Sequence, residues 1–270
     1  MCATCGCSEV GAARISMVNQ PPHDHDHPHD HDHPHDHDGI ATEGPRSSAS
    51  RTLRLELDVL AKNDALAASN RRWLKQRSIT ALNLMSSPGS GKTTLLVRTL
   101  SDLAGERPLA VIEGDQETSL DADRISASGA PVVQINTGSG CHLDAEMMRS
   151  ALDHLVPKDG SLLFVENVGN LVCPAMFDLG ESAKIVVISV TEGADKPLKY
   201  PQMFAGADLL IVNKSDLLPY VDFNVSACVG YARQLNPSLA AMVLSATTGK
   251  GLEQWYEWLR ATVNSAGAIG

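Results

Sequence analysis

The sequence has no apolar run of eighteen or more residues, so no segment is expected to span a bilayer as a helix and no membrane role is implied. Its N-terminus lacks a basic stretch followed by an apolar core, the mark of a secretory leader. The six cysteines are therefore expected to be thiols in a reducing cytoplasm rather than disulfides. Aromatic residues are scarce, at 4%, and no basic stripe with interleaved aromatics occurs. A formal net charge of -10 repels phosphate backbones, which speaks against a nucleic-acid binder. Most of that charge sits in residues 1–50, where six Asp and two Glu face two Arg. What is present is a 270-residue chain, 43% hydrophobic, long enough for one sizeable domain and an appendage.

The appendage is the N-terminal part. Residues 1–20 carry a cysteine cluster, and residues 21–51 form a His/Asp-rich segment and linker, of which 21–38 has no apolar side chain to bury and is expected to be disordered without metal. A first helix is expected over 52–78, with Leu53, Leu57, Leu60, Ala61 and Leu66 on an apolar face that packs on the main domain or on a partner subunit. From residue 79 to 266, short β-branched runs alternate with helical stretches. The runs are 82–86, 109–112, 132–135, 162–166, 185–190, 209–212 and 242–244. That alternation requires crossover connections, hence an α/β fold with a mostly parallel central sheet flanked by helices. Ligands in such sheets sit outside the carboxyl ends of the strands, where every motif below falls.

Ser86-Ser87-Pro88-Gly89-Ser90-Gly91-Lys92-Thr93-Thr94 joins an apolar strand to a helix, the setting of a P-loop. Small residues let backbone N–H groups turn inward around the β-phosphate. The helix N-terminus adds partial positive charge, Lys92 reaches the β/γ oxygens, and the Thr93 hydroxyl suits Mg²⁺. The standard pattern has glycine where this chain has Ser86. Asn213-Lys214-Ser215-Asp216 follows another buried run, and the Asp216 carboxylate can accept from guanine N1–H and its exocyclic amine, so GTP is favoured over ATP. Asn213 would brace the loop, Lys214 would lie along the base, and Ser245-Ala246 would touch the guanine edge. Asp115 is a candidate for Mg²⁺ or the attacking water, and Glu166 for Mg²⁺ through water, with Glu113 in reserve; Gly169 can meet the γ-phosphate through its N–H. Each carboxylate also has a structural alternative as a cap or turn residue. No glutamine or arginine finger is identifiable, so slow intrinsic hydrolysis is expected.

Cys2, Cys5 and Cys7 bunch beside the α-amino group, a set of soft donors that favours Ni²⁺ or Cu²⁺ over tetrahedral Zn²⁺. His23, His25, His27, His29, His31, His33, His35 and His37 form a second, less selective store. Within the domain, Cys141 and His142 follow one strand and Cys173 lies just past Gly169, so three ligands could converge at the nucleotide face, a fourth coming from water, a carboxylate or a second subunit. Hydrolysis would then move Cys173 and change metal affinity. Cys228 and His154 are read as core and surface residues without function.

Together, Cys-Ala-Thr-Cys-Gly-Cys, the histidine repeat, the P-loop, Gly-Cys-His, Glu-Asn-Val-Gly-Asn-Leu-Val-Cys-Pro and Asn-Lys-Ser-Asp resemble the hydrogenase nickel-incorporation GTPases over nearly the whole chain. The resemblance implies a P-loop NTPase fold and nickel delivery to the large-subunit precursor of nickel-iron hydrogenase. It implies partnership with a small zinc-binding nickel metallochaperone and a homodimer formed on GTP binding. It also implies a tight nickel site at Cys2, Cys5 and Cys7, and a weaker nickel/zinc site at Cys141, His142 and Cys173. The urease accessory GTPases share the phosphate and guanine loops but carry a Cys-Pro-His motif, whereas here Cys and His are adjacent and Cys-Pro comes later. A chain acting mainly as a nickel store, or a signalling GTPase with incidental thiols, are the other readings.

Overall fold

A computed structural model describes residues 13–18, 45–116 and 119–267. Cys2, Cys5, Cys7 and the eight histidines from His23 to His37 lie outside the described residues. Eight strands form one sheet: β1 (Arg14–Met17), β2 (Thr80–Ser86), β3 (Leu109–Asp115), β4 (Val132–Asn136), β5 (Leu162–Gly169), β6 (Ala183–Ser189), β7 (Leu209–Asn213) and β8 (Ala240–Val243). Their order is β1-β4-β3-β5-β2-β6-β7-β8. All seven strands read from the sequence are present and pair in parallel. The addition is β1, antiparallel to β4 at the edge. Its four residues are too few and too polar to stand out as a strand, and only pairing to β4 defines it.

The helices are α1 (Pro45–Gln76), α2 (Lys92–Asp102), α3 (Leu120–Ser126), α4 (Ala145–Leu155), α5 (Cys173–Met176), α6 (Lys196–Lys199), α7 (Pro201–Ala205), α8 (Val225–Leu235) and α9 (Leu252–Gly267), with a 3₁₀ turn at Ser215–Tyr220. Alternation along each strand sorts the core into two layers. Leu82 and Leu84 of β2 pack with α2 and α9 on one face, while Ala81 and Met85 face the side covered by α1, α4, α7 and α8. The central strands are buried on both faces, which is why they read as unbroken apolar runs rather than as alternating ones. Among the described residues, no helix is long and apolar enough to cross a membrane.

Helix α1 starts at Pro45 rather than near residue 52, and its buried face is not the leucine stripe. Leu57 is 58% exposed, and Ala61 is exposed as well. The inward residues are Asn63, Ala67, Asn70 and Leu74, at helical spacing. Periodicity missed this face because half of it is polar. Asn63 Oδ1 accepts from Ala145 N–H at 2.9 Å, and its Nδ2 donates to Asp178 O at 2.9 Å. Asn70 Nδ2 donates to Ala145 O at 2.8 Å and to Leu179 O at 3.1 Å. The two side chains bond backbone groups at the start of α4 and in the loop before β6, among them the Ala145 N–H that the helix itself leaves without an acceptor. Gly180, with φ +91°, permits the close approach, since a Cβ there would lie 2.5 Å from Ala67 O.

Asn70→Ala removes both bonds, leaving buried Leu179 O without its donor and Ala145 O with only its helical one. We expect a loss of about 2 kcal/mol of stability in urea unfolding. A loss below about 0.5 kcal/mol, the range of a neutral surface change, would contradict this role.

Candidate functional site

Strand β2 ends at Ser86, and the chain turns through Ser87–Gly91 before α2 begins at Lys92. Gly89 and Gly91 take φ of +74° and +87°, backbone that L side chains avoid. A Cβ at Gly91 would also lie 2.6 Å from Asn213 Nδ2. Ser86 sits in ordinary strand backbone, paired with Gly169 of β5, so the position does not need glycine. Pro88, Ser90, Thr93 and Thr94 help line a cavity of about 560 Å³ that also takes in Glu113, Asp115, Glu166, Gly169 and Lys214. Gly169 packs against the phosphate loop, for a Cβ there would be 3.2 Å from Pro88.

Two strand-end carboxylates meet in this cavity. Lys92 Nζ lies 2.7 Å from Glu166 Oε1, and Thr93 Oγ1 donates to the same oxygen at 2.6 Å. Glu113 is the register partner of Glu166 across β3 and β5. Burial, and then the charges of Glu166 and Asp115, push its carboxyl up to about 8. Among the described residues, Glu166 Oε2 and Glu113 Oε2 are both buried without a hydrogen-bond partner. Buried acceptors without donors, beside a threonine hydroxyl, are the hard oxygen ligands that Mg²⁺ takes, so the residues present fit that ion. Asp115 closes β3 at the rim, its carbonyl accepting from Thr137 N–H at 2.9 Å.

On the other side of the phosphate loop, Asn213 ends β7 fully buried. Its Nδ2 donates to Ser90 O at 3.0 Å, and its Oδ1 accepts from Ala246 N–H at 3.1 Å. Lys214, at φ +59°, donates through Nζ to Gly89 O at 2.6 Å. Ser245 Oγ donates to Asp216 Oδ1 at 2.5 Å. The structure thus brings Asn213, Lys214, Asp216, Ser245 and Ala246 together with the loop Pro88–Gly91, and the side chain of Asn213 cross-braces it.

Cys141, His142 and Cys173 converge as well. Cys141 Sγ is 2.9 Å from Cys173 Sγ and 3.7 Å from His142 Nδ1, and the three ligand atoms all lie within 4.8 Å of one another. The two cysteines are not joined by a disulfide, the separation being well beyond a covalent bond of about 2.05 Å. The His142 ring stacks on Phe177 with centroids 4.0 Å apart. Burial lowers its pKa against the opposing pull of Asp144, favouring the neutral imidazole that ligates metals. Two thiols and an imidazole suit nickel or zinc. Cys228 is buried in α8 and His154 exposed on α4, away from this cluster.

Sequence reading missed three residues of the site. Arg124 of α3 lines the phosphate cavity and donates to Thr94 Oγ1 at 3.2 Å. Asn167 and Asn170 flank Gly169 and bond to the loop that carries Cys141. None of them has a local signature, because each acts on a segment distant in sequence.

The chain resembles known proteins along most of its length. Residues 80–243 match the family described as CobW/HypB/UreG, nucleotide-binding domain. Hydrogenase maturation factor HypB of Rhizobium leguminosarum bv. viciae is 58% identical over 218 residues, covering 81% of this chain and 73% of the relative. The protein of that name from Escherichia coli (strain K12) is 48% identical over 284 residues, covering 96% of this chain and 98% of the relative. The crystal structure of HypB from Helicobacter pylori in complex with nickel superposes with a TM-score of 0.71 at 40% identity, covering 76% of this chain and 96% of that one.

Glu113 generates a pH dependence. Its folded-state pKa near 8 exceeds the ordinary carboxyl value of 4.5, so the folded protein keeps a proton that the unfolded chain has released. Stability of the protein without nucleotide or Mg²⁺ should therefore fall as pH rises from about 4.5 to about 8. Glu113→Gln removes this contribution. Its urea midpoint should decline markedly less than that of the wild type between about pH 6 and about pH 8.5; equal declines would contradict the burial of an unpartnered carboxyl.

Proposed function

We propose a function from the premise that this chain belongs to the HypB hydrogenase maturation factors of the CobW/HypB/UreG family: it is a GTPase that binds nickel and delivers it to the large-subunit precursor of nickel-iron hydrogenase, its GTP state coupled to metal transfer and to dimerisation. In this reading, the cytoplasmic protein stores nickel on its N-terminal cysteines and histidines and exchanges it with a small zinc-binding metallochaperone. Zinc competes for the site at Cys141, His142 and Cys173.

The chemistry follows from the groups at the strand ends. Asp216 selects guanine by accepting two hydrogen bonds, and Ser245 Oγ keeps one of its oxygens oriented. Lys92 leaves the Glu166 carboxylate for the β/γ oxygens as a triphosphate enters, and the N–H groups of the phosphate loop surround the β-phosphate. Thr93, Glu166 and Asp115 would hold Mg²⁺, which when bound neutralises charge between the β- and γ-oxygens. Asp115 and Glu113 border the space for the attacking water, and Gly169 offers its N–H to the γ-phosphate. With catalysis resting on position and charge alone, turnover without a partner stays below about ten per second.

The observation that carries the reading is covalent adjacency. Glu166, bonded to the P-loop lysine and threonine, is followed three residues on by Gly169 against the phosphate loop and seven residues on by Cys173 in the thiol pair. A change at the γ-phosphate is therefore passed to the metal ligands, and nickel must alter nucleotide affinity by the same factor.

The test is a nickel titration of the full chain carrying Cys2→Ala, Cys5→Ala and Cys7→Ala, read by the thiolate-to-nickel charge-transfer band, to which imidazoles do not contribute. We expect affinities in the GDP form and in the form bound to a non-hydrolysable GTP analogue to differ by about fivefold or more. We also expect Cys173→Ala to abolish the band. Affinities within about twofold of each other would overturn the coupling.

A further inference from the structure

The loop that carries Cys141 and His142 is held on both sides of that pair by two asparagines at the end of β5, Asn167 within the strand and Asn170 just after it. Asn170 Nδ2 donates to Cys141 O at 3.3 Å, on one side of the Cys-His pair. Asn167 Oδ1 accepts from Leu143 N–H at 3.2 Å, on the other. Both asparagines also cap their own segment: Asn167 Oδ1 accepts from Val168 N–H at 3.0 Å, and Asn170 Oδ1 from Val172 N–H at 2.8 Å. Asn167 is completely buried, and its Nδ2 donates to Asn83 Oδ1 of β2 at 3.3 Å. Asn83, equally buried, donates to Glu181 Oε1 at 3.2 Å. A buried amide is retained only where its bonds are made, so this network fixes one arrangement of the two segments.

The same loop is pressed against the strand that leads to Asp115. A Cβ on Gly114 would fall 2.8 Å from the side chain of Leu143, so β3 and Leu143 cannot shift independently. The asparagines therefore lie between groups that face the phosphates and groups that face the metal. Glu166 precedes Asn167 directly, and Gly169 precedes Asn170 directly. Displacing residues 166–169 by even an ångström would break the bond from Leu143 or carry Leu143 with it.

We propose that Asn167 and Asn170 are the positioning residues that couple nucleotide state to the Cys141, His142 and Cys173 cluster, by clamping the backbone on both sides of the Cys-His pair to the segment that senses the γ-phosphate. Asn167 borders the phosphate cavity, Asn170 lies outside its lining, and neither belongs to the cluster of metal-ligating side chains. Their contribution is to make the ligand geometry of Cys141 and His142 follow the position of residues 166–170. The assignment rests on the functional reading given above, and asks in addition which bonds transmit it.

The experiment uses the same full chain without N-terminal thiols and the same nickel charge-transfer titration, in GDP and GTP-analogue forms, for Asn170→Ala and Asn167→Asp. Asn170→Ala removes the bond to Cys141 O from a half-buried position, whereas Asn167→Asp keeps the acceptor but loses the donor to Asn83 and adds charge. Thr99→Val, which unpairs the buried Trp255 N–H on the far face of the sheet, serves as a control for lost stability alone. We expect the ratio of nickel affinities between nucleotide states to fall to within about twofold in both asparagine variants, from the fivefold or more of the parent. In Asn170→Ala, which lies outside the phosphate cavity, nickel affinity in the GDP form and GTP-analogue affinity without metal should each stay within about threefold of the parent, and Thr99→Val should keep the parent ratio. Should Asn167→Asp fail to fold, Asn170→Ala decides. The parental ratio in the asparagine variants overturns the assignment while leaving the functional reading intact. Loss of the charge-transfer band, or an equal loss of coupling in Thr99→Val, overturns it by showing a merely structural role. A parent ratio near one removes the functional reading and the assignment with it.

Discussion

The carboxylate of Glu166, buried against the ammonium of Lys92 and the hydroxyl of Thr93, is the contact around which the remaining site is arranged. A charge taken out of water is tolerated only with partners, and here the partners are the two residues a triphosphate would claim. One Glu166 oxygen remains without a donor, as does one on Glu113 across the strand pair. The protein without nucleotide thus keeps an unsatisfied carboxylate oxygen on Glu166 beside a Glu113 carboxyl that burial holds protonated. A cation placed there would satisfy the first and favour ionisation of the second. The parallel register of β3, β5 and β2 makes the arrangement possible, since it brings Glu113 beside Glu166 and ends β2 at the phosphate loop.

Much of this was legible in the sequence, for identifiable reasons. Central strands of a parallel sheet are apolar on both faces, so all seven stood out, and the P-loop and Asn213-Lys214-Ser215-Asp216 announce themselves because glycine and strand-end polar residues have local meaning. Ser86 looked like a departure from the P-loop pattern and proves to lie in strand backbone where glycine has no special use. Edge strand β1 and the polar inner face of α1 were not legible. One is defined only by its partner, and the other buries asparagines where periodicity looks for leucines. The bonds from Asn167 and Asn170 were hidden for the same reason: a side chain that satisfies backbone two dozen or more residues away leaves no pattern in its own neighbourhood.

The architecture gives the cluster of Cys141, His142 and Cys173 support from several elements. One cysteine and the histidine sit on a loop, the other cysteine opens the short helix α5, and neither element is rigid by itself. Rigidity is supplied from below, by Asn63 and Asn70 of α1 at the start of α4, and from the side, by the asparagines that follow Glu166. The two thiols are therefore held close together by a framework that also includes the segment in contact with the phosphate loop.

The central claim is that a single segment, residues 166–173, belongs to both sites. Amide hydrogen exchange of the full chain, compared without ligand, with a GTP analogue and Mg²⁺ alone, and with nickel alone, tests it most directly. The account predicts that either ligand by itself slows exchange at the same amides, those of Leu143, Val168, Gly169 and Val172. Protection confined to the phosphate loop with nucleotide, and to Cys141 and His142 with nickel, would contradict it.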